Sequence, residues 1–195
     1  MAYLHDGTEH TIYHKDIKPT NILLDDEMNS CMADFGLVRI MAKEEGKSHQ
    51  MMRIAGTQGY LASEYALYDR LIGKSDVYSF GVVLLEIMSG RKALDTSADC
   101  ASHYLITDWA WRLVKEGSTS EIIDERIRQS GAERLMERFV LVVILCVHVM
   151  VAFRPGMVEV VKILEGEAEI PEIPDRPFPL MRHGTVTTIQ LPLIK

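Results

Sequence analysis

Residues 14–21 read HKDIKPTN, and they place an acid, a cation and an amide on backbone that is not helical. Pro19 has no backbone N–H and interrupts a regular helix in the middle of the segment. Taken singly, Asp16 is an ordinary turn acid, Lys18 a solvated surface lysine and Asn21 a cap. Together, on a short irregular segment, these three residues indicate a chemical site.

Two short apolar runs downstream of this segment predict a hairpin. The runs are NILLD at 21–25 and CMAD at 31–34, and the residues between them favour a turn. Such a hairpin brings Asn21, before its first strand, and Asp34, after its second, to one edge. Carboxylate and amide oxygens suit Mg²⁺, which also takes phosphate oxygens and water as ligands.

The four polar groups supply what phosphoryl transfer requires. Asn21 and Asp34 can position a metal, and Lys18 adds positive charge for the transferring group. Asp16 can accept a proton from an attacking hydroxyl. A small metal-dependent hydrolase built on the same acids is a weaker hypothesis, because no independent motif supports it.

Composition places the chain among ordinary soluble proteins. It has 195 residues, 47% apolar and 25% charged, and a net charge of −7. With no long basic run, this charge argues against nucleic acid or an anionic membrane as the main partner. Three widely spaced cysteines predict reduced thiols, and the N-terminus has no signal-peptide pattern. The apolar stretch 139–153 is too short to span a bilayer and predicts a buried helix.

The spacing of apolar residues predicts that the rest of the chain is mainly helical. Helices are predicted at 75–90, 106–117, 132–150 and 154–166. Ser75 and Thr107 are candidate N-caps, and Gly90, Gly117 and Gly166 are candidate stops. A polar loop is predicted around 41–50, and the proline-rich segment after 166 predicts an extended or disordered tail.

These motifs resemble those of protein kinases, in order and in spacing. HKDIKPTN resembles the catalytic loop, and DFG at 34–36 the metal-binding motif. GTQGYLASEY at 56–65 resembles the end of an activation segment, and SDVYSFGVVLLE at 75–86 the helix that anchors the loop. The phrases GYLASEYA and KSDVYSFGVVLLEIMSGRKAL resemble plant receptor-like kinases of the interleukin-receptor-associated and tyrosine-kinase-like groups.

The resemblance implies a fold and a domain division. Residues 1–165 would form the C-terminal lobe of the α+β protein-kinase-like fold, mainly α with a small β-hairpin. Residues 166–195 would form a proline-rich tail. No glycine-rich loop or V-A-I-K lysine precedes residue 14, so the N-terminal lobe is expected to be absent. The apolar surface that this lobe covers would then face water.

The resemblance also implies catalytic roles. Asp16 would be the catalytic base, Lys18 the contact to the γ-phosphate, and Asn21 and Asp34 the Mg²⁺ ligands. ATP and Mg²⁺ are therefore the expected cofactors. Thr57 would bond back to Asp16 and Lys18, shape the substrate site, and favour serine/threonine over tyrosine acceptors.

Supporting roles follow from the same resemblance. His14 would brace the Asp-Phe-Gly turn, and Asp76 would hold backbone amides of the catalytic loop. Glu64 would pair with Arg154, and Ser48 is a candidate phosphosite in the activation segment.

Two positions depart from the family pattern. Lys15 replaces an arginine whose planar fork commonly receives the activation-loop phosphate, so lysine keeps only the charge. Ser63 replaces a proline that shapes a turn.

Two functions remain open at this point. The first is ATP-dependent phosphorylation of protein serine or threonine residues within a signalling receptor-like kinase. The second is a truncated, non-catalytic module that binds another kinase or receptor. The expected partners are a protein substrate and such a kinase or receptor. The chain itself is expected to be cytoplasmic, or at the cytoplasmic side of the plasma membrane if it is part of a full receptor.

Overall fold

The N-terminal part of the fold contains two short antiparallel β-ribbons, and a third follows the second helix. The computed structural model describes residues 1–42, 56–62, 72–95, 104–129 and 133–176. A first helix, α1, is followed by four strands, and two further strands lie after the second helix. Their bounds are α1 Ala2–Asp6, β1 His10–Tyr13, β2 Ile22–Leu24, β3 Ser30–Met32, β4 Arg39–Ala42, β5 Leu94–Asp95 and β6 Tyr104–Leu105. In the described ranges the strands pair β1–β4, β2–β3 and β5–β6, all antiparallel.

Helices form the body of the molecule. They are α2 Ile72–Ser89, α3 Ile106–Lys115, α4 Glu125–Arg128, α5 Glu133–Cys146 and α6 Met157–Glu165. The core lies where α2 crosses α5, and Val82, Leu85 and Val143 there are fully buried. This predominance of helix, with few strands, agrees with the fold class predicted from the sequence.

The crossing of α2 and α5 depends on a glycine. A Cβ added at Gly81 would lie 2.7 Å from Val147 Cγ1 and 2.8 Å from Cys146 Cβ. Both distances are shorter than carbon atoms tolerate, so only glycine allows this approach. The energetic gain is the enclosed apolar surface on both helices.

The predicted elements agree with the structure where local chemistry decides them. The hairpin predicted from NILLD and CMAD is the β2–β3 pair, with Leu23 opposite Cys31. Gly90, Gly117 and Gly166 follow helical segments with φ values of +67°, +74° and +86°, which are the left-handed stops that glycine supplies.

Several predicted helix ends were wrong. Ser75 lies inside α2, which already includes Ile72, and Thr107 lies inside α3, where Leu105 holds the N-cap position. Helix α5 ends at Cys146 and does not continue to 150. The β1–β4 ribbon was not predicted, because its strands are far apart in sequence. Most of the predicted loop at 41–50 lies outside the described residues.

The apolar stretch 139–153 is enclosed by protein over most of its length. Residues 142–148 are all buried against α2, α6 and their neighbours. Among the described residues no helix has the length and apolar character needed to cross a membrane. The predicted buried helix accounts for this stretch as far as Cys146, where α5 ends, and beyond it Met150 and Phe153 are 43% and 41% exposed.

The start of the C-terminal tail runs across the helical body. Residues 167–176 contain no helix or strand, in keeping with the predicted extended conformation. Ile170 and Ile173 pack against the two apolar clusters of the core. His148 Nε2 lies 3.3 Å from Pro174 O, and Arg176 pairs with Asp108 of α3 at 2.5 Å. The domain boundary at 165 stays a prediction.

Candidate active site

Asp76, near the start of α2, fixes the irregular segment 14–21. Its carboxylate accepts hydrogen bonds from the backbone N–H groups of His14 and Lys15, both at 2.8 Å. His5 Nε2 lies 3.0 Å from the same carboxylate. Asp76 is only 1% exposed. A buried charge loses its hydrating water, and these three donors compensate for that loss. The backbone contact predicted for Asp76 is present.

The loop turns sharply at Lys15, where φ is +70°. A side chain other than glycine adopts this left-handed conformation at a cost, typically about 1 kcal/mol or more. The two bonds to Asp76, one at His14 and one at Lys15 itself, hold the turn. The chain is thereby redirected so that Asp16 follows the turn as a buried carboxylate, 7% exposed.

Asp16 is surrounded by donors. Thr57 Oγ1 donates to its Oδ1 at 2.6 Å, and Lys18 Nζ donates to its Oδ2 at 2.7 Å. Asn21 Nδ2 donates to both the backbone oxygen, at 2.9 Å, and Oδ2, at 3.2 Å. Lys18 Nζ also donates to Thr57 Oγ1 at 3.0 Å. The structure therefore brings together four of the predicted site residues.

These contacts keep Asp16 ionised. Burial by itself disfavours the carboxylate, but hydrogen bonds from Lys18, Thr57 and Asn21 and the charge of Lys18 outweigh it. The pKa of Asp16 is therefore lower than usual. At neutral pH the group is an oriented carboxylate, and its Oδ1 accepts the hydrogen bond from Thr57.

Asn21 precedes β2 and Asp34 follows β3, so the paired hairpin places both at one edge. The backbone N–H of Ala33, next to Asp34, donates to Asn21 O at 2.8 Å. The Asn21 amide nitrogen is used by Asp16, which leaves its side-chain oxygen as the ligand atom. Asp34 is exposed and adopts φ +61°, with its side chain accepting from Gly36 N at 3.3 Å.

This pair fits a magnesium ion that is completed by other ligands. One amide oxygen and one carboxylate are hard oxygen donors, and Mg²⁺ commonly uses one or two protein ligands plus phosphate and water. Among the described residues no group of three His, Cys, Asp or Glu side chains could hold a metal alone. Asn21 and Asp34 stay the predicted ligands of a metal that phosphate and water would complete.

His14 supports the turn that carries Asp34. Its Nε2 lies 3.0 Å from the backbone oxygen of Ala33, and its ring meets the Phe35 ring edge-on at 5.1 Å. His14 is fully buried. His14 thus lies against the turn that carries Asp34, and its bracing role stays a prediction.

Arg154 is buried near α2 and bonds to backbone oxygens. Its guanidinium donates to His148 O at 2.6 Å and Lys74 O at 3.1 Å. It also lies over the Tyr78 ring at 4.9 Å. The predicted partner Glu64 lies outside the described residues, as do Ser48 and Ser63, so their roles stay predictions.

Comparison with known proteins decides the family. The family model described as "Protein kinase domain" matches residues 1–163. The chain belongs to the protein kinase superfamily. Its relatives place this kinase chain among the plant receptor-like kinases.

Two curated relatives come from Arabidopsis thaliana. A probable receptor-like protein kinase is 56% identical over 187 residues, covering 92% of this chain and 30% of that protein. A probable LRR receptor-like serine/threonine-protein kinase is 47% identical over 182 residues, covering 93% of this chain and 29% of that protein. The kinase chain therefore spans less than a third of the length of the relatives it matches.

A solved structure shows the same fold. It is the pseudokinase domain of BIR2, described as an immune regulator of the RLK/Pelle family. The TM-score is 0.67 at 28% identity, and the match covers 85% of this chain and 47% of that one. The kinase-like fold predicted from the sequence is confirmed.

Two contacts of the kinase site were missed by the sequence analysis. His5 joins α1 to Asp76 across 71 positions of sequence, which local patterns do not reveal. The Tyr60 hydroxyl donates to Glu86 at 2.7 Å, and the other oxygen of Glu86 accepts from Ala93 N at 2.7 Å. Nothing in the local sequence pairs these residues.

Proposed function

We propose that this chain carries the phosphoryl-transfer site of a receptor-like kinase that phosphorylates protein serine and threonine residues with ATP. The observation that carries the proposal is the ionised Asp16, held by Thr57, Lys18 and Asn21 at 2.6–3.2 Å. In phosphoryl transfer the protein contributes mainly positioning and electrostatic stabilisation, and little covalent chemistry. An oriented carboxylate beside a compensating positive charge suits that task.

Asp16 would orient the acceptor hydroxyl. Its lowered pKa makes it a weak base, so its main work is to accept the hydroxyl hydrogen bond and to take the proton late in transfer. Thr57 fixes one carboxylate oxygen through its 2.6 Å hydrogen bond. Lys18 carries a positive charge that a transferring phosphoryl group would meet.

The metal-facing residues would complete the site. Asn21 and Asp34 would hold Mg²⁺, and when bound this ion neutralises charge on phosphate oxygens. His14 keeps the Asp34 turn in place through Ala33 and Phe35. The relatives contain further sequence outside the aligned part, and in a kinase of that length such segments would help to hold ATP.

The proposed setting is signalling at the plasma membrane. Both relatives named above are receptor-like kinases, and on that basis this lobe would act on the cytoplasmic side of the membrane. A protein substrate is the expected partner, together with another kinase or receptor.

The test is a chimera. The part of the 56% identical relative that precedes the aligned region is fused to this chain, and phosphate transfer to a generic basic protein substrate is measured with Mg²⁺ and ATP. Asp16→Asn should reduce transfer by about a thousandfold, because the hydroxyl loses its acceptor. Asp26→Asn, an exposed turn carboxylate, is the matched control and should leave transfer unchanged. Transfer by the Asp16 variant near the parent rate would overturn the proposal.

A second candidate function is a non-catalytic binding module. The similar solved structure is a pseudokinase, and three apolar side chains of the ribbons, Leu23, Leu24 and Ile40, are 55%, 56% and 63% exposed. Exposed apolar groups of this kind favour a partner. A chimera that folds and binds Mg²⁺-ATP but transfers no phosphate would favour this function.

A further inference from the structure

A second cleft lies between the segment that leads into β5 and helix α3. It has a volume of about 650 Å³, within the range of small-ligand sites. We call it the cation–aromatic cleft and define it by Arg91, Lys92, Asp95, Asp108, Trp109 and Arg112. None of these residues belongs to the site around Asp16.

The cleft is lined by three cations and by two carboxylates, Asp95 and Asp108, and Asp95 already has an interaction of its own. Asp108 is engaged by Arg176 at 2.5 Å. The Arg91 guanidinium lies over the Trp109 ring, 4.2 Å from its centroid. Lys92 and Arg112 form no salt bridge with any described residue. Three cations on one concave surface stand out in a chain with a net charge of −7.

The side-chain types favour phosphate over a simple carboxylate. Arginine presents a planar fork of donors that matches a phosphate bidentately, and stacking on an aromatic ring leaves that fork open at its edge. A phosphorylated side chain offers three acceptor oxygens and nearly two negative charges. One carboxylate would leave part of the Arg91, Lys92 and Arg112 set unused.

The backbone between Lys92 and Asp95 of the cleft packs against Gly59, two residues after Thr57. A Cβ added at Gly59 would lie 3.3 Å from Ala93 Cβ and 3.5 Å from Leu94 Cβ. Glu86 accepts from both the Tyr60 hydroxyl and Ala93 N. A protein held in the cleft would therefore lie beside the segment that contacts Asp16.

We propose that the cation–aromatic cleft binds a phosphorylated serine or threonine side chain of a protein partner. The proposal rests on the proposed kinase function, to which it adds a preference for partners that are already phosphorylated. Such a partner would be held by its phosphate while another of its hydroxyls reaches Asp16. Binding itself needs no ATP and no phosphate transfer.

The experiment measures binding to the 195-residue chain. Biotinylated degenerate heptapeptide pools with a central phosphoserine, serine or glutamate are immobilised, and binding is followed by biolayer interferometry. The phosphoserine pool should bind about tenfold or more tightly than either other pool, with affinity falling as salt rises. Equal binding of the phosphoserine and glutamate pools would replace the proposal with a general acidic docking site. No binding of the phosphoserine pool would overturn it.

Variants locate the binding site. Lys92→Gln and Arg112→Gln remove exposed charges from the cleft and should each weaken phosphoserine binding by about tenfold. Lys162→Gln removes an exposed charge from α6 and is the matched control. Equal effects of all three changes would overturn the assignment to this cleft. If the chain binds phosphoserine peptides but the chimera transfers no phosphate, the kinase function alone is contradicted. If the chimera transfers phosphate but the chain binds no phosphoserine peptide, the cleft proposal alone is contradicted.

Discussion

At the scale of single residues, the site depends on one buried carboxylate that collects donors from distant segments. Asp76 receives the backbone N–H groups of His14 and Lys15 and the ring of His5. His5 and Asp76 are 71 positions apart in the chain. A buried acceptor is costly to lose because its donors are left without partners.

Asp76→Asn should therefore destabilise the protein by about 1–3 kcal/mol, because an amide keeps one acceptor oxygen and turns an NH₂ group toward donors. Urea unfolding followed by circular dichroism would measure the change. Asp26→Asn, on the exposed β2–β3 turn, makes the same substitution without burial and should shift the unfolding free energy by less than about 0.5 kcal/mol. Similar losses for both variants would contradict the role given to Asp76.

Acid should weaken the fold through Asp16. Because folding lowers the pKa of this carboxyl, its ionised form stabilises the native state above about pH 4, the range where an unfolded aspartate titrates. This stabilisation is lost as pH falls through the lower native pKa. The stability difference between the native chain and Asp16→Asn should then shrink in acid, as measured by urea unfolding between about pH 3 and 7.

A companion variant tests the cause of that dependence. Lys18→Gln removes a hydrogen-bond donor and a charge that favour ionised Asp16. The acid loss of stability should then begin at a higher pH than in the native chain. An unchanged curve would mean that Lys18 does not control the Asp16 carboxyl.

At the scale of elements, close packing of α2 on α5 sets the position of everything that α2 carries, including Asp76 and Glu86. The approach is possible because Gly81 has no Cβ to meet Val147 and Cys146. Burial raises the pKa of the Cys146 thiol to about 12, so this cysteine acts as a packing group.

Gly81→Ala should lower the unfolding free energy by about 1–3 kcal/mol, because the clash exceeds the helix propensity that alanine gains. Thermal unfolding would measure it. Gly156→Ala is the control, since a Cβ there meets no heavy atom within 4 Å, and only a few tenths of a kcal/mol should be lost at this helix N-cap. A Gly81 variant as stable as the control would show that α2 and α5 can move apart at little cost in free energy.

Sequence reasoning succeeded for elements whose cause is local. The β2–β3 hairpin and the glycine stops at Gly90 and Gly166 follow from turn and left-handed conformations. It failed for the β1–β4 ribbon, where pairing depends on the path of the intervening chain. The contact of Thr57 with Asp16 spans 41 positions, and only resemblance to a family, not spacing, could predict it.

At the scale of the whole molecule, the tail joins helices that are far apart in sequence. Ile170 and Ile173 cover the two core clusters, and Asp175 pairs with Lys115 of α3. The exposed ion pairs add little, typically about 0–1 kcal/mol each, so the apolar contacts dominate. The cation–aromatic cleft likewise exists only when α3 is seated beside β5, which no local pattern reveals.

Truncation should separate these contributions. A chain ending at Gly166 loses both isoleucine contacts and should be less stable by about 2 kcal/mol, or about 5 °C in melting temperature. A chain ending at Arg176 keeps every described tail contact and is the control. Differential scanning calorimetry would compare them, and equal melting temperatures would contradict a packing role for the tail.

Glu86 links two segments of the chain, one at Tyr60 and one at Ala93, through a single carboxylate. One oxygen holds Tyr60 and the other holds Ala93, so a shift on either side changes the same carboxylate. Burial and the Glu86 hydrogen bond raise the pKa of Tyr60, which keeps the hydroxyl a donor at neutral pH. In the proposed kinase, a phosphopeptide in the cleft that changes the affinity for the substrate hydroxyl by some factor would, by linkage, have its own affinity changed by the same factor. If Glu86 carries this coupling, changing Glu86 would remove it in both directions.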